Sequence, residues 1–267
     1  MDVTELELIA QGNTAEVYAL GDKVLKLFRS AYSRESVRYE YEQAKMVQAH
    51  FVKTPQVFDL IEMEGRFGIT YERIDGGSML LAILQSAAGI DQYAEDLVKL
   101  HLEMHKNQLE IDAGLRVKDK LTADIEQVHD LSDAIKTRVI KRLTALPDGQ
   151  SLCHFDFHPD NIILTADGPV IIDWVTVCIG DPCADVARTY LLIRYAKPKH
   201  ADSDQQDELR SAQEYFAETY LKFYLKGAGI RREAVEQWLL PVATARLSEE
   251  IHIDERAIIR RLIQSLL

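Results

Sequence analysis

Residues 151–174, SLCHFDFHPDNIILTADGPVIIDW, constrain this chain more than any other stretch. Apolar Ile162, Ile163 and Leu164, the pair Asp167-Gly168, and apolar Val170, Ile171 and Ile172 predict a short β-hairpin, because Asp-Gly tolerates the positive φ angles of a two-residue turn. The ribbon then holds Asp156, Asn161 and Asp173 at one end. Two carboxylates and an amide oxygen, with no cysteine among them, are hard donors. They suit Mg²⁺, which keeps several waters and completes its shell from phosphates. The stretch therefore points to phosphoryl-transfer chemistry.

With 267 residues, 47% of them apolar and 28% charged, the chain is large enough for a well-buried core or two lobes. No apolar run approaches the ~20 residues of a membrane span. The acidic start MDVTELELIA lacks a basic secretion region, so a cytoplasmic protein with no membrane partner is expected. A formal charge of −12 argues against a nucleic-acid partner and mildly favours a cationic substrate. Only charges within a Debye length of about 10 Å of a site would steer one, however. Cys153, Cys178 and Cys183 form no CxxC pattern and are expected to be core thiols.

The spacing of Asp156, Asn161 and Asp173 fits the catalytic loop of kinases. There, the Asp of His-x-Asp receives the acceptor proton, while an Asn five residues on and a later Asp hold Mg²⁺. The remaining parts should then appear in order. Residues 5–10 and 15–20 read as strands about Gln11-Gly12-Asn13-Thr14, and residues 23–28 as a third strand across Gly21-Asp22. Aligned on Val17, a glycine-rich loop would place glycines at 10, 12 and 15; this chain has Ala10, Gly12 and Ala15. Lys26 matches the strand lysine that meets the α- and β-phosphates, and Lys23 falls on the other strand face. Ser33 caps a helix, RESVRYEYEQAKMVQAH, in which Glu40 and Glu42 both qualify as partner of Lys26. Glu40 is preferred because Tyr41 and Ala44 beside it can pack on the sheet. VFDLIEM and FGITYER add two strands around Glu64-Gly65 and run into the break Ile74-Asp75-Gly76-Gly77. In the kinase pattern, the Glu72 carbonyl and the Ile74 amide would meet the adenine.

From Ser78 onward the periodicity is helical. His101 and His105 stand four apart, but Leu102 occupies the place of the HExxH glutamate, so a structural role is expected. Gly180-Asp181-Pro182 leads into a helix containing Asp185, residues 197–207 read as a polar, mobile loop, and helices follow over 208–226, 231–247 and 254–267. Five antiparallel strands with one helix, followed by helices around a short catalytic hairpin, make an α+β protein of two lobes, residues 1–74 and 75–267.

The ordered set Gly12, Lys26, Glu40, Asp75-Gly76, His154 to Asn161, Ile172-Asp173-Trp174 and Gly180-Asp181-Pro182 with Asp185 resembles the aminoglycoside phosphotransferase and choline kinase-like family. The most specific piece is HxDxHPxN, then I-D-[FW], then GDPxxD. Protein kinases instead carry Asp-Phe-Gly and a long activation segment, for which the short interval between Trp174 and Gly180 leaves little room. The resemblance implies a bilobal protein-kinase-like fold, ATP or GTP with Mg²⁺, and a small-molecule hydroxyl acceptor; a monomer or homodimer is expected. It implies Asp156 as the catalytic group and Asn161 and Asp173 as metal ligands. His154, Asp181 and Asp185 would support the site, with His158 as brace or substrate contact. Phe155 departs from relatives, which often have Gly.

Three kinds of protein fit these residues. An antibiotic kinase would line its pocket with acids for a polycation, with Glu249, Glu250, Asp254 and Glu255 as candidates. A metabolic kinase for choline, a sugar or an amino alcohol would need fewer acids and could use the aromatic residues among 215–224 around a cation. A nucleotide-binding protein without catalysis would have no physical need for Lys26, Asp156, Asn161 and Asp173 together.

Overall fold

The computed structural model describes residues 3–86, 89–110, 115–196 and 206–267. The chain forms two compact units, Met1–Ala82 with Asp160–Val175, and Ile83–Pro159 with Thr176–Leu267.

In the first unit, β1 (Leu8–Gln11), β2 (Ala15–Leu20), β3 (Lys23–Phe28), β4 (Val57–Met63) and β5 (Arg66–Glu72) form an antiparallel sheet in the order β1-β2-β3-β5-β4. Two-residue turns close two of its hairpins, β2-β3 and β4-β5. At the second, Glu64 and Gly65 both take positive φ, 52° and 71°, as a type I′ turn requires. Helix α1 (Arg34–His50) begins where the Ser33 hydroxyl accepts the Ser36 N–H at 3.1 Å. It buries Val37, Glu40, Gln43, Ala44 and Val47 along one stripe. Alternation along β3 sorts its side chains. Leu25 and Leu27 pack with Val3 and Tyr18, while Phe28 joins Val37, Ala44 and Ile69. Lys26 therefore shares the face of Phe28, the face α1 covers.

Five further strands are short: β6 (Gly77–Ser78), β7 (Ser151–Cys153), β8 (Ile162–Thr165), β9 (Gly168–Ile171) and β10 (Cys178–Gly180). Strands β6, β8 and β9 form one small sheet of the first unit, and the Ile171 N–H donates to Lys53 O at 2.8 Å. These bonds group the β8-β9 hairpin with the first unit, whereas the sequence suggests a single cut after residue 74. The turn is also shifted by one residue. Thr165 pairs with Gly168, so Ala166-Asp167 make the turn and Gly168, at φ 115°, opens β9.

The second unit is helical: α3 (Ile90–His105), α4 (Val117–Glu126), α5 (Asp133–Thr144), α6 (Pro182–Tyr195), α7 (Gln206–Ala228), α8 (Arg232–Arg246) and α9 (Ile253–Leu266), while the division after Ala82 falls within α2 (Met79–Gln85). Helix α6 is its centre, buried continuously from Cys183 to Ile193 and packed on α7 and α8. Helix α7 runs through Gly227, where the sequence suggests it ends. The stop comes at Gly229, φ 67°, where the Ile230 N–H reaches back to Leu225 O at 3.2 Å. β7 pairs with β10, and a Cβ on Gly180 would stand 2.5 Å from Val117 Cγ2, so only glycine fits there. The three cysteines are buried. Most of the polar loop foreseen over 197–207 lies outside the described residues.

Candidate active site

Each unit carries one set of candidate residues. In the first, Lys26 Nζ lies 2.6 Å from Glu40 Oε1 and 2.9 Å from Asp173 Oδ1. Burial would lower the Lys26 pKa, but the Asp173 and Glu40 carboxylates outweigh it and keep the group an ammonium. Glu40 is 5% exposed, whereas Glu42 lies on the outer face beside Arg38. Lys23 sits over the Phe58 ring, away from this cluster.

Asp173 stands just past β9 with φ 65°, a strained left-handed conformation for a residue other than glycine. The Ile172 N–H donates to Asn161 O at 3.0 Å, which seats Asn161 beside the residue before Asp173. Asn161 is 8% exposed and Asp173 41%, so a buried amide and an accessible carboxylate are offered together. Both are hard oxygen donors and fit Mg²⁺. Gly12 lies between β1 and β2 with its N–H bonded to Ala15 O at 2.9 Å. Glu72 ends β5, its carboxylate accepting the Gln56 N–H, and Ile74 lies beyond the sheet.

In the second unit the centre is Asp185, fully buried on α6. Its Oδ2 accepts the His154 N–H at 2.8 Å and its Oδ1 the Phe155 N–H at 2.9 Å, which pins the loop entering Asp156. His101 Nε2 and His105 Nε2 lie 3.1 and 3.3 Å from Oδ2, and Tyr220 and Tyr224 hydroxyls lie 2.7 Å from the two Nδ1 atoms. One assignment satisfies every atom: each tyrosine donates to Nδ1, and each neutral imidazole donates from Nε2 to Asp185. The two imidazoles and the carboxylate also have the proximity of a metal site, with donor atoms within 4.8 Å. In this assignment, neither Nε2 keeps a lone pair for a metal. Burial, with His105 adding to it, pushes the His101 pKa down to about 3. Burial also acts to raise the Asp185 pKa, but hydrogen bonds from both histidines outweigh it and hold Asp185 well below the carboxylate range. Tyr220 and Tyr224 thus serve this clamp, while Tyr215 is exposed and donates to Asp91.

Because folded His101 has a lowered pKa, the unfolded chain takes up a proton there first. Stability present above pH 6.5 is therefore lost as pH falls toward about 3. His101→Asn should flatten urea midpoints plotted against pH, removing up to about 1.4 kcal/mol per pH unit between about pH 4 and 6. Parallel curves for variant and wild type would contradict the assignment.

Phe155 takes φ 64°, a left-handed conformation that glycine adopts without a side-chain clash. Its ring is buried, so Phe155→Gly should still destabilise. About 3–5 kcal/mol of lost packing exceeds the roughly 1–3 kcal/mol of relieved strain. A melting temperature raised by Phe155→Gly would show that strain dominates. The Asp156 N–H donates to His154 Nδ1 at 3.2 Å, and His158 Nε2 lies 3.5 Å from Asp156 Oδ2. Burial acts to raise the Asp156 pKa, but His158 first and then Arg188 outweigh it and hold the carboxyl well below its ordinary value. Asp181 caps α6, accepting the Cys183 N–H at 2.8 Å ahead of Pro182.

Sequence reasoning missed Arg188. Its Nε donates to Phe155 O at 3.3 Å, and its two terminal nitrogens meet Glu249 at 2.7 and 3.0 Å. The available signal was a lone arginine within the apolar run of α6.

The sequence matches the model of the Phosphotransferase enzyme family over residues 5–230. Its fold is similar to a thermostable mutant of aminoglycoside phosphotransferase APH(4)-Ia in its apo form, with TM-score 0.69 and 15% identity over 98% of this chain and 93% of that one. The amicoumacin kinase hAmiN aligns with TM-score 0.58 and 13% identity over 98% of this chain and 88% of that one. A choline/ethanolamine kinase family protein from Mesorhizobium loti aligns with TM-score 0.56 and 16% identity over 98% and 80%. No curated protein matches the chain as a relative. With most of its length matched by the family model and a kinase-like fold throughout, the chain belongs to the phosphotransferase enzyme family.

Proposed function

We propose that this phosphotransferase moves the γ-phosphoryl group of ATP or GTP directly to a hydroxyl of a small molecule. The observation that carries this reading is the Lys26 ammonium held between Glu40 and Asp173. A cation fixed in a mostly buried setting, next to a carboxylate that stays accessible, is suited to gripping nucleotide phosphates beside a metal. Two neighbours favour a nucleotide: APH(4)-Ia with ADP and hygromycin B, and hAmiN with AMP-PNP and Ca2+. When bound, Mg²⁺ held by Asn161 and Asp173 would neutralise charge on the transferring phosphates. Lys26 grips the nonreacting phosphates and Glu40 fixes its direction. Asp156 orients the acceptor hydroxyl and takes its proton as the P–O bond forms. Because phosphoryl transfer passes through a loose transition state, placement of the hydroxyl matters more than the basicity of Asp156.

Lys26→Ala should weaken nucleotide binding by about 10- to 100-fold, the loss expected for a charged hydrogen bond of about 1.5–3 kcal/mol. Calorimetry with AMP-PNP measures this, and unchanged affinity would defeat the assignment. Two acceptor classes fit the reaction: aminoglycoside-like antibiotics, and smaller compounds such as choline, sugars and amino alcohols.

A further inference from the structure

The second unit contains a cavity of about 710 Å³ where the ends of α4 and α8 meet the start of α9, lined among others by Asp130, Ser248, Glu249, Glu250, Ile251 and Arg256. It adjoins the catalytic loop through one ion pair. Glu249 on its wall is bound by both terminal nitrogens of Arg188, whose Nε donates to the carbonyl of Phe155, the residue before Asp156. On the phosphotransferase reading above, an acceptor seated here would lie beside Glu249, whose carboxylate is near enough to Asp156 to feel its charge.

The charges around the cavity decide what it can hold. Glu249 is paired with Arg188 and also with Arg246. Arg246 reaches on to Glu255 at 2.8 Å, and Glu255 is itself buried. Asp130 is paired with Arg256 at 3.1 Å and with Arg260. A cationic ligand would have to displace an arginine from these carboxylates, and breaking a partly buried pair leaves an uncompensated charge behind. Glu250 differs: among the described residues no arginine or lysine pairs with it.

We infer that the acceptor is a hydroxylated compound carrying at most one ammonium group, seated in this cavity with Glu250 as the one lining acid, among the described residues, that no arginine or lysine holds, and is not a polycationic aminoglycoside. This inference rests on the phosphotransferase reading for the direction of the hydroxyl, but the charge balance can be tested without turnover.

The test titrates kanamycin A, a polyamine, into the full chain saturated with Mg²⁺ and AMP-PNP. Wild type should give no saturable heat. Arg256→Gln with Arg260→Gln, which releases Asp130 into the cavity, should bind kanamycin A saturably, at least about tenfold above the weakest affinity the titration can detect, as expected for a new partly buried ion pair. Adding Glu250→Gln should reduce that gain. If the double variant melts early, Arg260→Gln alone, on the exposed side of α9, should give a smaller gain of the same sign. Saturable binding or phosphorylation of kanamycin A by wild type would overturn the inference, and so would a folded double variant that gains nothing. Loss of AMP-PNP binding in wild type would instead strike at the phosphotransferase reading and leave the charge balance standing.

Discussion

Asp156→Asn lowers phosphoryl transfer by about 10²- to 10⁴-fold while leaving nucleotide affinity at the wild-type level. The change keeps shape and volume, and removes only the charge and the capacity to take a proton. The loop should hold its place, because its ties to Asp185 and Arg188 run through the His154 and Phe155 backbone. The Asp156 carboxyl is held well below its ordinary pKa, so it stays ionised at neutral and mildly acidic pH. An acidic limb of the rate near pH 4 should therefore belong to another group. Steady-state rates and calorimetry on the same preparations separate the two effects. Full activity in the variant would remove Asp156 from the mechanism, and a parallel loss of nucleotide affinity would assign it to binding.

Asp185→Ala destabilises the protein by about 3–5 kcal/mol, the range for breaking a buried charged network. The substitution strips acceptors from the His154 and Phe155 amides and from both histidine Nε2 atoms in a site closed to water. Asp185→Asn should fall between alanine and wild type, since one amide oxygen can replace only part of the set. Urea denaturation at unchanged slope measures both. A loss below about 1 kcal/mol would mean that water or a rearranged tyrosine satisfies the loop amides. Because the same amides hold the approach to Asp156, activity should fall further than the folded fraction alone explains.

Local chemistry made the first unit readable. β3 shows its alternation directly, Ser33 announces α1, and a glutamate one helical stripe from Val37 and Ala44 has to face the sheet, so the association of Lys26 with Glu40 follows from periods of two and of 3.6 residues. The Asp156, Asn161 and Asp173 spacing is likewise local. The second unit resisted because its bonds join distant parts of the chain. His101 and His105 show their shared helix face, yet nothing nearby indicates Asp185 as the acceptor or Tyr220 and Tyr224 as the donors. Glu249 and Glu255 read as acids available to a cation, and only the fold reveals the arginines already on them. Phe155 conceals its left-handed backbone because φ is imposed from outside by Asp185 and Arg188, not by the residue itself. The hairpin turn slipped by one residue because Asp167-Gly168 satisfies the composition of a turn whether glycine closes it or opens the next strand.

Mass spectrometry of the products tests transfer of a phosphoryl group to a small hydroxyl compound. Wild-type protein, Mg²⁺ and ATP or GTP would be incubated with sugars, amino alcohols, hydroxylated amino acids, choline and aminoglycosides. The prediction is a phosphorylated neutral or singly charged acceptor, formed one for one with nucleoside diphosphate and absent with Asp156→Asn. Diphosphate released with inorganic phosphate alone, whichever acceptor is present, would contradict it.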